Sequence, residues 1–187
     1  MKKIKQGVCV LGTICLLALL VAGCGGQQEK EAQLSKAQKG FLKSFEAKAL
    51  NGDSFTQDDL AESDVTIFNF WALTCGPCIE EMPALAAYGR SLPEHVRLIT
   101  VCLDGAGDVE GTKSVLQEAG YEGTTLVGGD GDFEKLCRAI MYTPTTLLVD
   151  RDGNILGDAI VGGQRNLEKT YTDAVNQALR SMGKDAI

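Results

Sequence analysis

Residues 71–78 read Trp71-Ala72-Leu73-Thr74-Cys75-Gly76-Pro77-Cys78, and they close an almost continuously apolar run, Val65 to Ala72 (VTIFNFWA). A short, β-rich run of that kind is the pattern of a central strand covered on both faces. The residues after it, Cys78 to Ser91, carry a helical pattern. CxxC alone says little, but strand, CxxC and helix in succession form a specific signal. Two cysteines at i and i+3 across a helix start can close a disulfide without backbone distortion, the first sulfur at the open end and the second tucked beneath it. Unpaired amides and the positive end of the helix dipole favour an anion at the first position, so the Cys75 thiol is expected to fall from about 8.5 toward neutrality. Cys75 therefore reads as the attacking nucleophile and Cys78 as the thiol that resolves a mixed disulfide. Zinc needs four ligands, whereas the only histidine is His95 and the other cysteines stand alone. A purely structural bridge across so small a loop would constrain the unfolded chain little. Neither a metal nor an organic cofactor is required, because the dithiol is itself the redox centre.

Working outward, Leu98 to Leu103 (LITVCL) and Thr145 to Val149 (TTLLV) are further buried-strand runs. Helical patterns lie at Val109 to Ala119, stopped by Gly120, and at Phe133 to Ile140. Upstream, Phe45 to Leu50, the pair Asn51-Gly52 and Ser54 to Thr56 predict a hairpin, followed by a brief helix through Asp58 to Ala61. Downstream, Asp152-Gly153 turns the chain toward a strand at Ile155 to Ile160, and Asn166 opens a helix with Leu167, Tyr171, Val175, Ala178 and Leu179 on one stripe. Strands alternating with helices and ending in a hairpin and a helix predict a three-layer α/β domain. Two aspartate- and glycine-rich stretches, Asp104 to Asp108 and Gly128 to Asp132, lack the spacing of a calcium loop and read as turns.

The chain has 187 residues, 44% of them hydrophobic, and a formal net charge of −7. That suits one globular domain with appendages and excludes a multidomain machine. An excess of acid argues against a nucleic-acid partner, which requires a clustered positive field. Cysteine is the unusual count, seven in all. Lys2, Lys3 and Lys5 precede an uncharged stretch from Gly7 to Ala22, somewhat short of a ~30 Å hydrocarbon core at about 1.5 Å per residue. A cleaved export signal fits better than a permanent span, and it places the remainder outside the cytoplasm. Residues 24–40 are polar, mixed in charge and without aromatics, the composition of a flexible tether, so the folded domain is expected over 41–187.

Leu20-Val21-Ala22-Gly23-Cys24 resembles the lipobox of bacterial lipoproteins. The resemblance implies a signal peptide over 1–23, lipidation of Cys24, and attachment to the outer face of the cell membrane. Cleavage there removes three lysines and no acid, taking the net charge from −7 to −10 and the cysteines from seven to five.

WALTCGPC and the Tyr142-Thr143-Pro144-Thr145 segment before a strand resemble the thioredoxin superfamily. FEAKALNGDSFTQDDL and the CxxCxxExP pattern of CGPCIEEMP are similar to its membrane-tethered TlpA/ResA-like branch. The resemblance implies a thioredoxin-like three-layer sandwich, a central mixed sheet flanked by helices, with an amino-terminal β-hairpin. It implies a cis bond before Pro144, and partner contacts at Trp71, Gly76, Pro77, Thr143 and Pro144. It also implies a proton-handling role for Glu81, one helical turn beyond Cys78, and a structural kink at Pro83. The partners implied are protein thiols and disulfides of the cell envelope, with a membrane or exported redox protein as electron donor or acceptor.

Three departures from thioredoxin matter. Asn69 stands where a buried aspartate is usual, which shifts proton transfer to Glu81; Thr74 replaces a tryptophan before the first cysteine; and the Thr143 hydroxyl is placed to favour a thiolate. The direction of electron flow, reductase or disulfide-forming oxidase, stays open, and the alternative of another class is a tethered non-catalytic binding module whose CxxC is a static bridge. Also open is the state of Cys102 and Cys137, which a thioredoxin-like layout makes neighbours: either a structural disulfide, worth about 3.5 to 4 kcal/mol in the chain-entropy model, or two buried thiols packing as small hydrophobes.

Overall fold

A computed structural model describes residues 41–187. The expected signal peptide over 1–23, lipidation of Cys24 and tether over 24–40 lie outside the described residues.

The hairpin comes first, β1 (Glu46–Ala49) and β2 (Ser54–Thr56), with Asn51 and Gly52 in its turn. Thr56 caps the short helix α1 (Gln57–Leu60) through a reciprocal capping box with Asp59. The apolar run becomes β3 (Val65–Trp71), buried along its whole length, and α2 (Gly76–Ser91) follows with Pro83 inside it. Next come β4 (Val96–Cys102), α3 (Val109–Glu118), β5 (Thr125–Gly129) and α4 (Gly131–Ala139). The chain then makes β6 (Thr145–Asp150), β7 (Ile155–Val161) and α5 (Leu167–Ser181). Asn166 caps α5 by accepting from the Lys169 amide.

The seven strands form one mixed sheet in the order β2-β1-β5-β4-β3-β6-β7. The β3–β4 and β4–β5 pairs are parallel and the rest antiparallel. Side chains alternate across β3 because successive strand residues point to opposite faces. Val65, Ile67 and Trp71 pack toward α2, α3 and α5, while Phe68 and Phe70 join Phe45, Phe55 and Phe133 beneath the hairpin and α4. The result is the expected three-layer sandwich with its amino-terminal hairpin.

One strand escaped the sequence pattern. Gly128 and Gly129 are not a turn but the end of β5, paired with Lys48 and Ala47 of β1. A Cβ on Gly129 would lie 2.6 Å from the Glu46 carbonyl oxygen, so the close approach of β1 requires glycine there. Asp130 and Asp132 hold the segment leading into β1: Asp130 Oδ1 accepts from the Glu46 amide at 3.1 Å, and Asp132 Oδ2 from the Ser44 amide at 3.0 Å. The Asp132 carboxyl is held below the usual carboxylate range, chiefly by the Lys135 ammonium and next by the Ser44 amide. At Gly153, φ is +77° and a Cβ would fall 2.0 Å from the Leu42 carbonyl oxygen, so the β6–β7 turn also packs on this segment.

Candidate active site

Trp71 ends β3 and the chain turns at once, the Cys75 amide donating to the Ala72 carbonyl at 3.0 Å. Cys75 is the N-cap of α2, and its Sγ accepts from the Cys78 amide at 3.3 Å. A sulfur in that position receives one of the amide protons that a helix start leaves unpaired. Cys75 and Cys78 are joined in a disulfide with Cα atoms 5.3 Å apart. The two sulfurs differ in access: Cys78 is 1% exposed, whereas Cys75 is only partly covered and Gly76 and Pro77 are open to solvent.

Glu81 lies one turn further along α2 and is buried. Its Oε2 accepts from the backbone N–H of Gln164, in the loop after β7, at 3.1 Å. Its Oε1 makes no hydrogen bond of normal geometry among the described residues. Burial raises the Glu81 carboxyl above its ordinary value; the Gln164 amide and, less strongly, the nearby Asn69 side chain pull it back. A carboxyl so placed can hold a proton at pH values where a solvated one cannot.

Asn69 occupies the buried centre of this face. Its Nδ2 donates to Thr146 Oγ1 at 3.0 Å and to the Tyr171 hydroxyl at 3.3 Å, while those two hydroxyls are 2.6 Å apart. In the sequence Tyr171 stands only on an apolar stripe and Thr146 carries no signal of a role. A hydroxyl on an otherwise apolar stripe was the available signal.

The Thr143–Pro144 peptide bond is cis. Pairing of Phe70 with Thr145 sets this segment beside the end of β3. Pro144 is buried and its carbonyl accepts from the Gly162 amide at 2.8 Å, while Thr143 is half-buried. Met141 and Tyr142 just upstream are 77% and 56% exposed, and Val161 at the end of β7 is 54% exposed. A Cβ on Gly163 would stand 3.6 Å from both Glu81 Oε2 and the Pro77 Cβ, which places the loop after β7 against the CxxC helix. Large apolar side chains left in solvent beside a cysteine pair offer contact area to a polypeptide. Met141, Val161 and Gly163 carry no signal in the sequence, and Tyr142 enters there only as part of the segment before Pro144, because nothing in a sequence marks an apolar residue as exposed.

One expectation, a partner contact at Trp71, is corrected, and of the two readings left open for Cys102 and Cys137 the structure shows the free thiols. Trp71 is fully buried between the sheet and the helices, so it supports the CxxC turn from below and cannot touch a partner. Cys102 and Cys137 are not bridged; both are free thiols. Cys102 pairs in register with Trp71 and packs on the α2 and α5 face, whereas Cys137 packs against the opposite cluster under α4. Burial pushes both thiols up to about 12. Among the described residues no group of three or more His, Cys, Asp or Glu side chains gathers in a way that suits a metal ion.

The AhpC/TSA family matches residues 40–157, which span the hairpin, the CxxC and the cis-proline segment. The thioredoxin-like protein YneN of Bacillus subtilis (strain 168) is 26% identical over 152 residues, covering 79% of this chain and 86% of its own. Among solved structures, MTB dsbF, determined in mixed oxidized and reduced forms, superposes with a TM-score of 0.56 at 26% identity over 72% of this chain and 95% of its own. StoA of Bacillus subtilis superposes with a TM-score of 0.55 at 20% identity, over 68% and 96% of the two chains.

Proposed function

The chain belongs to the AhpC/TSA family and is a thiol-disulfide oxidoreductase of thioredoxin type, and from that premise we propose that it is a lipid-anchored, extracytoplasmic reductase of disulfides in exported proteins. The observation that carries the exchange chemistry of this reading is the inequality of the two sulfurs, one partly open at a helix N-cap and one buried beneath it.

In the reduced protein the Cys75 thiolate attacks one sulfur of a partner disulfide. The bond formed is the Cys75–partner disulfide, and the partner's other sulfur leaves as a thiolate that takes up a proton. Cys78 then loses its proton and attacks Cys75 Sγ. This breaks the mixed disulfide, frees the partner's second thiol and leaves the Cys75–Cys78 disulfide. Two electrons have passed to the partner, whose two thiolates take up one proton lost by Cys78 and one from solvent. Glu81, buried one turn from Cys78, is the carboxyl suited to accept the Cys78 proton. A dithiol of a membrane or exported redox protein reverses the sequence and restores the reduced pair. The segment around Thr143 and Pro144, with Met141, Tyr142, Gly76 and Pro77, supplies the surface on which the partner lies.

Support for the envelope comes from the Lys-rich start, the apolar stretch and Leu20-Val21-Ala22-Gly23-Cys24; support for reduction comes from the ResA-like pattern CGPCIEEMP. The test is Cys78→Ser in the native host, with rapid acid quenching and identification of whatever is bound to Cys75. Envelope proteins held through Cys75 are expected, and their absence overturns the reading. In unmodified cells the Cys75–Cys78 pair should be found mostly reduced; a mostly oxidised pair reverses the assigned direction. Mass spectrometry of the mature amino terminus should find Cys24 as the first residue with a lipid attached, and an unmodified Cys24 overturns the anchor.

A further inference from the structure

Asp104 begins the stretch that the sequence offers as a simple turn, and the structure gives its carboxylate two tasks. The Leu73 amide donates to both of its oxygens, at 3.0 Å to Oδ1 and 3.2 Å to Oδ2. The Cys102 thiol donates to Oδ1 at 3.3 Å. Leu73 is two residues before Cys75, inside the turn closed by the Cys75 amide on the Ala72 carbonyl. The Leu103 amide donates to the Trp71 carbonyl at 2.9 Å, so the ends of β3 and β4 are tied twice, once by backbone and once by Asp104. The loop is also packed from behind, since a Cβ on Gly105 would lie 2.8 Å from Cys102 Cβ.

We propose that Asp104 is a positioning residue for the nucleophile: through Leu73 its carboxylate fixes the turn that presents Cys75, and its charge opposes the Cys75 thiolate, keeping the couple more reducing than the helix start alone would make it. The proposal rests on Cys75 being the exchanging thiol. Ionisable groups near this turn include the Cys102 thiol of β4, which donates to Asp104, and Cys78 and Glu81 of α2; Asp108 turns its carboxylate to the Gly111 amide at the start of α3. Cys102 does not compete as an anion, because burial, reinforced by Asp104, keeps it protonated up to about 12. Among the described residues, Asp104 is therefore the carboxylate that accepts directly from the backbone of this turn.

The test compares full-length protein with Asp104→Asn, which keeps an acceptor for the Leu73 amide and removes the charge. The Cys75 thiol is titrated by its alkylation rate against pH, and the couple is equilibrated against a reference dithiol. A partly solvated charge held two residues along the turn from the sulfur should move the thiol by about 0.3 to 0.5 units. Asp104→Asn is thus expected to show about twofold to threefold more thiolate near neutrality, with the equilibrium moved about twofold toward the reduced form. The difference should shrink at about 1 M salt, where the screening length falls to about 3 Å. Unchanged titration and equilibrium in a folded Asp104→Asn overturn the proposal, as does a shift that salt leaves undiminished. Asp104→Ser, which also offers Leu73 an uncharged acceptor, decides the matter in the same terms if Asp104→Asn does not accumulate. Failure of the parent protein to exchange with any disulfide would instead count against the proposed function, while the thiol titration of the two proteins would still decide the role of Asp104.

Discussion

The backbone N–H of Gln164 donates to Oε2 of Glu81 across 3.1 Å, so the loop after β7 fastens the carboxyl that lies one helical turn beyond Cys78. Because burial raises this carboxyl above its ordinary 4.5, the folded chain binds more protons than the unfolded one between that value and the raised one. Stability from this group is therefore present below the ordinary value and is lost as pH rises through the raised one. Glu81→Gln keeps an oxygen for Gln164 and removes the titration. Urea unfolding between pH 4 and 8 should show a smaller decline with pH in the variant. Exchange with a model disulfide should slow in the variant, with the largest loss in release of the mixed disulfide.

Gly163 and Gly153 should respond oppositely to alanine. The added methyl at Gly163 meets Glu81 Oε2 and Pro77 Cβ at 3.6 Å, an ordinary contact, so stability should change by no more than about 0.5 kcal/mol. At Gly153 the backbone is at φ +77° and the methyl would meet the Leu42 carbonyl oxygen at 2.0 Å, so the loss should exceed about 1 kcal/mol. Thermal unfolding of the two variants checks both.

Tyr171→Phe preserves the ring in the core and removes the hydroxyl that meets Thr146 at 2.6 Å and Asn69 at 3.3 Å. The expected cost is about 1 to 3 kcal/mol, since Thr146 and Asn69 are left buried with fewer partners. The Tyr171 phenol is pushed up to about 12, chiefly by burial, so its share of stability is lost as pH rises from the ordinary 10 through that value. Alkaline unfolding of Tyr171→Phe should accordingly be less steep.

Peptides containing Cys102 and Cys137 should be alkylated without any reductant once the chain is denatured, because both thiols are free. In the folded protein at pH 8 both should react slowly, since burial holds each protonated up to about 12. Recovery of a Cys102–Cys137 disulfide peptide would contradict the structure.

Much of this architecture was legible because strong local signals agreed. Trp71 to Cys78, the Asn51-Gly52 turn and the Asn166 cap each fixed an element that the structure contains. β5 escaped because its last two residues, Gly128 and Gly129, are chosen for the close approach of β1 and have no side chain with which to show a strand period. Cys102 and Cys137 were misplaced relative to each other because each one's neighbours depend on strand parity and on which face α4 covers. Neither property is local in sequence. The chemistry of Cys75, Cys78 and Glu81 could be proposed from spacing along a single helix. The holds of Gln164 on Glu81 and of Asp104 on Leu73 span 83 and 31 positions, and spacing carries no information at that range.

The sheet also acts as an insulator. Cys102 and Cys137 stand on its two sides, and with that partition in place neither can serve as the other's oxidised partner. The described domain therefore stores charge in one two-electron cell, the Cys75–Cys78 pair. Its titration against a redox buffer should follow a single Nernst wave, with a slope of about 30 mV per tenfold change in ratio, undistorted by a second couple.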